Sequence, residues 1–230
     1  MPTIYPLMEA WGFSTKEFQV PEQKVIEQCL AGLDVSRIKK DSASRQIEFG
    51  LPGMKIDFGG IAKGYTSSKI IDIFKENGIE SGIINLGGNV QTLGTKENGS
   101  LWRVAIQSPD ADMDYLGILE VRDKAVITSG GYERYFEENG TIYHHILDPQ
   151  TGYPADNGLV SVTIVSADGL LADGVSTALF VMGLDQAKQF WRENSDLFDA
   201  IFMTEENQLY VTEGIVDSFS TTYDVQLVER

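Results

Sequence analysis

A pair of glycines, Gly59-Gly60, stands directly before a run that reads as a helix, Ile61-Ala62-Lys63-Gly64-Tyr65. A helix N-terminus leaves backbone N–H groups unpaired, and its dipole favours anions. Lys63 falls in the first turn, close to the Ile70 side that should face inward. A cation at that end is unfavourable by charge, and a bound anion such as phosphate would compensate it. A lysine that snorkels over a packed helix would look the same. The two standard phosphate motifs fail here. Gly59 and Gly64 have the glycine spacing of a P-loop, but Tyr65 stands where its lysine belongs, and the chain holds no GxGxxG.

A second group lies at Asp173 and Thr177. Four residues apart on a helix, they point the same way. The periodicity sets them opposite an apolar stripe of Leu171, Val175, Ala178 and Met182, and Phe180 and Val181 make most of the helix apolar. A buried carboxylate needs a partner or a metal. A carboxylate and a hydroxyl suit a hard cation such as Mg2+, which keeps further positions for water and substrate phosphate. The alternative is a cap, with Asp173 closing its own helix and Thr177 bonding back to a carbonyl. The third group is Tyr143-His144-His145-Ile146-Leu147-Asp148, which holds both histidines of the chain. Adjacent residues of a strand face opposite ways, so the pair makes a poor metal site, and zinc spacing is absent. One of them could serve as a general base, with the Asp148–Gly152 turn fixing the strand end; the alternative is one exposed and one structural histidine.

Together, a helix N-terminus with lysine, an oxygen-donor pair and a histidine suit metal-assisted chemistry on a phosphate ester or anhydride. No GxSxG elbow marks a serine hydrolase. The charge balance, 18 Lys+Arg against 34 Asp+Glu for a net −16, argues against a nucleic-acid binder and against docking on anionic lipid. The lone cysteine, Cys29, excludes an intrachain disulfide. No apolar run approaches the ~18 residues of a membrane span, and the start of the chain does not read as a signal peptide.

The elements that must position these residues can be read in outline. Residues 1–51 read as loop, helix (21–30) and hairpin (37–40 with 46–51). Then come a short strand at 54–58, the Gly59-Gly60 turn, a helix over 61–77, and a strand at 81–86. That helix should bury Thr66, Ile70, Ile73, Phe74 and Asn77. Strands follow at 102–107, 117–121 and 125–128, then at 132–138 and 141–147 about Asn139-Gly140, a strong hairpin signal. A strand at 159–166, helices at 172–182 and 184–193, and strands at 200–203, 209–212 and 222–228 close the chain. Runs of strands with a few inserted helices give an α+β fold with mixed, largely antiparallel sheets.

At these residues the sequence resembles a known family. The motifs Asp57-Phe58-Gly59-Gly60-Ile61-Ala62-Lys63-Gly64-Tyr65, Asn85-Leu86-Gly87-Gly88-Asn89, Thr128-Ser129-Gly130-Gly131-Tyr132-Glu133-Arg134-Tyr135, His144 to Gly152, and Ala172-Asp173-Gly174-Val175-Ser176-Thr177-Ala178 occur in that order. They are similar to those of the ApbE family of FAD:protein FMN transferases. The resemblance implies Mg2+-dependent transfer of FMN from FAD to a Thr or Ser hydroxyl of an acceptor flavoprotein, with release of AMP. The alternatives are an FAD pyrophosphatase, giving FMN and AMP, and a flavin-binding protein without chemistry. It further implies metal ligation by the side chains of Asp173 and Thr177 and the backbone carbonyl of Ala62. His145 becomes the catalytic base. Contacts to the flavin nucleotide fall to Gly59, Gly60, Lys63, Gly87, Gly88, Ser129, Tyr132 and Asp148. Family members carry a further segment before the position of Pro6-Leu7, with a glycine-containing strand that helps close the flavin pocket. Residues 1–230, read as one domain, lack it, so the expectation is a fragment or a piece supplied by another chain. For the full-length protein the resemblance implies export and a lipid anchor at the cell membrane.

Overall fold

The computed structural model describes residues 2–110 and 113–230, which form two compact units: Met1–Phe58 with Glu133–Ala155, and Gly59–Tyr132 with Asp156–Arg230. In chain order the elements are α1 (Tyr5–Ala10), α2 (Gln23–Leu30), β1 (Ile38–Asp41), β2 (Gln46–Phe49), α3 (Ala62–Glu76), β3 (Gly82–Leu86), β4 (Asn89–Leu93), β5 (Trp102–Gln107), β6 (Tyr115–Val121) and β7 (Ala125–Gly130). They continue with β8 (Tyr135–Glu138), β9 (Thr141–His144), β10 (Leu159–Ser166), α4 (Gly169–Met182), α5 (Leu184–Glu193), β11 (Asp199–Thr204), β12 (Leu209–Thr212), β13 (Phe219–Ser220) and β14 (Val225–Val228).

In the first unit, α1 and α2 bury Leu7, Trp11 and Ile26 with Phe13 and Leu147. The Trp11 indole N–H donates to the Gly152 carbonyl at 2.8 Å, so the Asp148–Gly152 turn is tied to this core. β8 and β9 pair antiparallel, and Asn139 (φ 53°) and Gly140 (φ 78°) both take the positive φ of a type I′ turn. The helix α1 was not anticipated, and residues 54–58 do not form the expected strand. Their composition suits an extended chain, but a strand needs a paired neighbour, and among the described residues they have no ladder.

The second unit is built on a seven-stranded sheet in the order β14-β12-β11-β10-β7-β4-β3, antiparallel except for β12 with β14. One face packs against the three-stranded sheet β13-β6-β5 through Val104, Leu119, Val126, Ile201, Met203 and Val211, among others. The other face carries α3 and α4. This is the α+β architecture expected. Because β10 is covered on both faces, seven of its eight residues are buried.

Both helices turn a different face inward from the one the periodicity suggested. α3 buries Gly64, Ser67 and Ile71, while Thr66, Ile73 and Asn77 are exposed. α4 buries Ala172, Asp173, Ser176, Leu179 and Phe180, while Ala178 and Met182 are exposed. The reason is backbone proximity. A Cβ on Gly64 would lie 2.1 Å from the Gly169 carbonyl oxygen, so the two helices touch at glycines and the small residues around them must face the contact.

Candidate functional site

Ile61 precedes the first residue of α3 in the N-cap position, and its side chain provides no cap. Instead, Asp173 of α4 accepts the Gly64 N–H on Oδ2 at 2.7 Å. Gly64 is the third residue of α3, and its N–H is one that an N-cap side chain ordinarily satisfies. Asp173 is 6% exposed, and this bond accounts for half of its buried carboxylate; Oδ1 accepts no hydrogen bond from the described residues. α4 has its own cap in Asp168, which accepts from the Leu170 and Leu171 N–H groups. Asp173 is therefore not the cap of its own helix.

Thr177 lies one turn further along α4. Its Oγ1 is 3.1 Å from Ser129 Oγ, and Ser129 Oγ is 2.9 Å from Ser176 Oγ. Gly60 approaches the same hydroxyl: a Cβ there would stand 4.0 Å from Thr177 Oγ1. The Ala62 carbonyl accepts the Thr66 hydroxyl at 2.7 Å.

Lys63 reaches from the first turn of α3 toward the β3–β4 turn, with Nζ 3.4 Å from the Gly87 carbonyl. Gly87 (φ 58°) and Gly88 (φ 93°) form that two-residue turn, and Asn85 Oδ1 accepts the Gly88 N–H at 2.9 Å. Positive φ at both positions explains the glycine pair. On the helix-bearing face of β4, Gln91 Oε1 accepts from the Ser67 hydroxyl of α3 at 2.7 Å. Two residues nearer the turn on that face, the Asn89 amide nitrogen is buried with no hydrogen-bond partner among the described residues. The Tyr132 ring lies over Gly130 at the end of β7, where it would collide with any Cβ.

His144, His145 and Asp148 belong to the first unit. The His144 ring is committed at both nitrogens: Nδ1 accepts the Ile146 N–H at 3.2 Å and Nε2 donates to the Ala155 carbonyl at 3.0 Å. It is the structural histidine of the pair. In His145, Nδ1 lies 3.1 Å from the Arg134 carbonyl. A carbonyl can only accept, so Nδ1 carries the proton and the neutral ring keeps its lone pair on Nε2. Asp148 Oδ1 accepts the Gln150 N–H at 2.8 Å, an Asx turn that shapes the 148–152 loop.

The donor set of Asp173 and Thr177 is all oxygen and carries one carboxylate. Among the described residues no group of three or more His, Cys, Asp or Glu could hold a metal. One carboxylate with a hydroxyl suits an ion bound by one or two carboxylates that keeps waters and substrate phosphates, as Mg2+ does. Sequence reasoning missed Ser176, Gln91 and the Gly64–Gly169 contact. Ser176 sat within a recognised motif, and small residues at matching positions of two helices were the available signal for the glycines.

An α+β scaffold that sets hydroxyls and a carboxylate beside a helix N-terminus capped at Gly64 by Asp173 offers groups suited to phosphate-bearing ligands and hard cations. The ApbE family model matches residues 1–202, and the chain belongs to that family. It is 38% identical over 210 residues to a FAD:protein FMN transferase of Klebsiella pneumoniae, covering 91% of this chain and 64% of that protein. It is 31% identical over 230 residues to a FAD:protein FMN transferase of Treponema pallidum, covering 94% of this chain and 63% of that one. The fold is similar to the crystal structure of the ApbE protein of Thermotoga maritima, with a TM-score of 0.85 and 35% identity over 93% of this chain and 69% of that one. The chain thus spans a little under two thirds of the length of these curated relatives.

Proposed function

We propose that the full-length protein transfers FMN from FAD to a Thr or Ser hydroxyl of an acceptor flavoprotein and releases AMP, with Mg2+ as its metal. The observation that carries this reading is the oxygen cluster of Asp173, Thr177 and Ser129 at the α3 N-terminus, beside Lys63 and the Gly87-Gly88 turn. Membership of the ApbE family and relatives named FAD:protein FMN transferase supply the substrate.

In this reading Asp173, Thr177 and the Ala62 carbonyl hold the Mg2+. Bound there, Mg2+ would neutralise the FAD diphosphate and stabilise the charge that develops during phosphoryl transfer. The remaining work falls to the chain's own groups. The α3 N-terminus and Lys63 take phosphate oxygens. Gly59, Gly60, Gly87 and Gly88 allow the ligand close to the backbone, and the buried Asn89 amide marks a face that can take a polar ligand. Ser129, Tyr132 and Asp148 complete the nucleotide contacts. His145 accepts the acceptor hydroxyl's proton on Nε2, the nitrogen left as a base when Arg134 holds Nδ1–H. The acceptor oxygen bonds to the FMN phosphorus. The bond from that phosphorus to the bridging oxygen breaks, and its electron pair leaves with AMP.

A net charge of −16 argues against a nucleic-acid partner. Export and lipid anchoring of the full-length protein belong to the same reading. No helix among the described residues is long and apolar enough to cross a membrane. Product analysis tests the proposal. The full-length protein with FAD, Mg2+ and an acceptor should give AMP in step with protein-bound FMN. Free FMN with AMP would make it a pyrophosphatase, and unchanged FAD would make it a binding protein.

A further inference from the structure

The hydroxyls around Thr177 form a chain whose protons can be assigned by counting. Ser176 Oγ lies 2.9 Å from the Asp173 backbone carbonyl. A carbonyl only accepts, so the single Ser176 proton is spent there. In the 2.9 Å contact between Ser129 and Ser176, Ser129 must then be the donor. That spends the Ser129 proton. In the 3.1 Å contact between Ser129 and Thr177, the donor is therefore Thr177. The order runs Thr177 to Ser129 to Ser176 to the Asp173 carbonyl, and its far end is fully buried, with Ser176 at 0% exposure.

A hydroxyl that ligates a cation must offer a lone pair and send its proton elsewhere. We propose that Ser129 and Ser176 are positioning residues that hold the Thr177 proton away from the metal, so that Oγ1 presents only lone pairs to Mg2+. The inference rests on the metal reading above and adds to it two residues that need not touch the ion. It also explains why a motif helix carries adjacent hydroxyls at Ser176 and Thr177: one anchors the proton chain and the other uses it. Without Ser176, Ser129 has no acceptor on that side and turns its proton toward Thr177 Oγ1, occupying the lone pair and redirecting the Thr177 proton toward the cation.

Partners that orient a metal ligand contribute about 10–100-fold in metal affinity. Calorimetric titration of Mg2+ into the FAD-loaded full-length protein, without acceptor, reads this directly. Ser176→Ala and Ser129→Ala should each weaken Mg2+ by roughly 10-fold or more, and Ser176→Ala, at a buried residue outside the nucleotide contacts, should do so with FAD affinity retained. The double variant should be no weaker than Ser129→Ala alone, because Ser176 reaches Thr177 through Ser129. A packing role would not produce that coupling. Ser129 is only partly buried, so its variant keeps the test open if Ser176→Ala fails to fold. Folded variants that bind Mg2+ within about twofold of the parent, or effects that multiply in the double variant, overturn this inference alone. A parent protein that binds FAD but no Mg2+ overturns the metal reading and this inference with it.

Discussion

Asp173 has two tasks in this account, and two substitutions separate them. Its Oδ2 caps α3 through the Gly64 N–H, and the carboxylate charge serves the metal. Asp173→Ala removes both. A buried hydrogen bond to a charged group contributes about 1.5–3 kcal/mol. For a chain of this size each kcal/mol moves the melting temperature by about 2–4 °C, so the alanine variant should melt about 3–12 °C lower. Asp173→Asn keeps a carbonyl oxygen for the Gly64 N–H while losing the charge. A neutral bond retains about 0.5–1.5 kcal/mol, so the asparagine variant should keep roughly half of that stability. Both should lose Mg2+ binding. The assays are thermal unfolding without metal and calorimetric Mg2+ titration with FAD present. An alanine variant melting within about 1 °C of the parent would refute the cap. An asparagine variant that binds Mg2+ as the parent does would remove the carboxylate from the metal site.

Gly64→Ala sets a Cβ 2.1 Å from the Gly169 carbonyl oxygen and 2.6 Å from Asp173 Cβ. The overpacking should cost at least about 1–3 kcal/mol and weaken Mg2+ binding as α3 shifts, and a parental melting curve would contradict the contact. His145→Ala should lower transfer by at least ~10²-fold while FAD binding persists. His144→Ala should instead lower stability by about 1–3 kcal/mol, because the Ile146 N–H and Ala155 carbonyl lose their partner. Equal losses of turnover per folded molecule would refute the division of roles. Mg2+ at ~100 times its dissociation constant should stabilise the FAD-loaded protein by about 2.7 kcal/mol, reversed by a chelator; an unchanged melting temperature would speak against a metal site.

Turn chemistry and helix spacing were readable from residue types alone. Asn139-Gly140 marked the β8–β9 hairpin because few other pairs accept positive φ twice. Spacing also put Asp173 and Thr177 on one side of α4. Which side faced inward was not readable, because α4 is apolar nearly all round and the deciding factor, contact between Gly64 and Gly169, joins residues far apart in sequence. β4 escaped notice for a related reason. Asn89, Gln91 and Thr92 are polar and break the apolar pattern of a core strand, yet all three are buried; Gln91 takes its hydrogen bond from α3, and Thr92 bonds to the Lys124 backbone. The strand at 54–58 was read from composition, which cannot supply a neighbour. The proton order through Ser129 and Ser176 needs interatomic distances that no spacing rule contains.

The most direct test of the central claim is whether flavin becomes covalently attached to an acceptor in a way that depends on this site. The full-length protein is incubated with FAD and a candidate Thr- or Ser-bearing acceptor, with Mg2+ or with chelator, and the acceptor is read by flavin fluorescence after denaturing electrophoresis and by mass. The account predicts an acceptor heavier by one FMN unit with Mg2+, none with chelator, and none with the Asp173→Asn enzyme. Attachment that proceeds equally in chelator, or equally with Asp173→Asn, would contradict it.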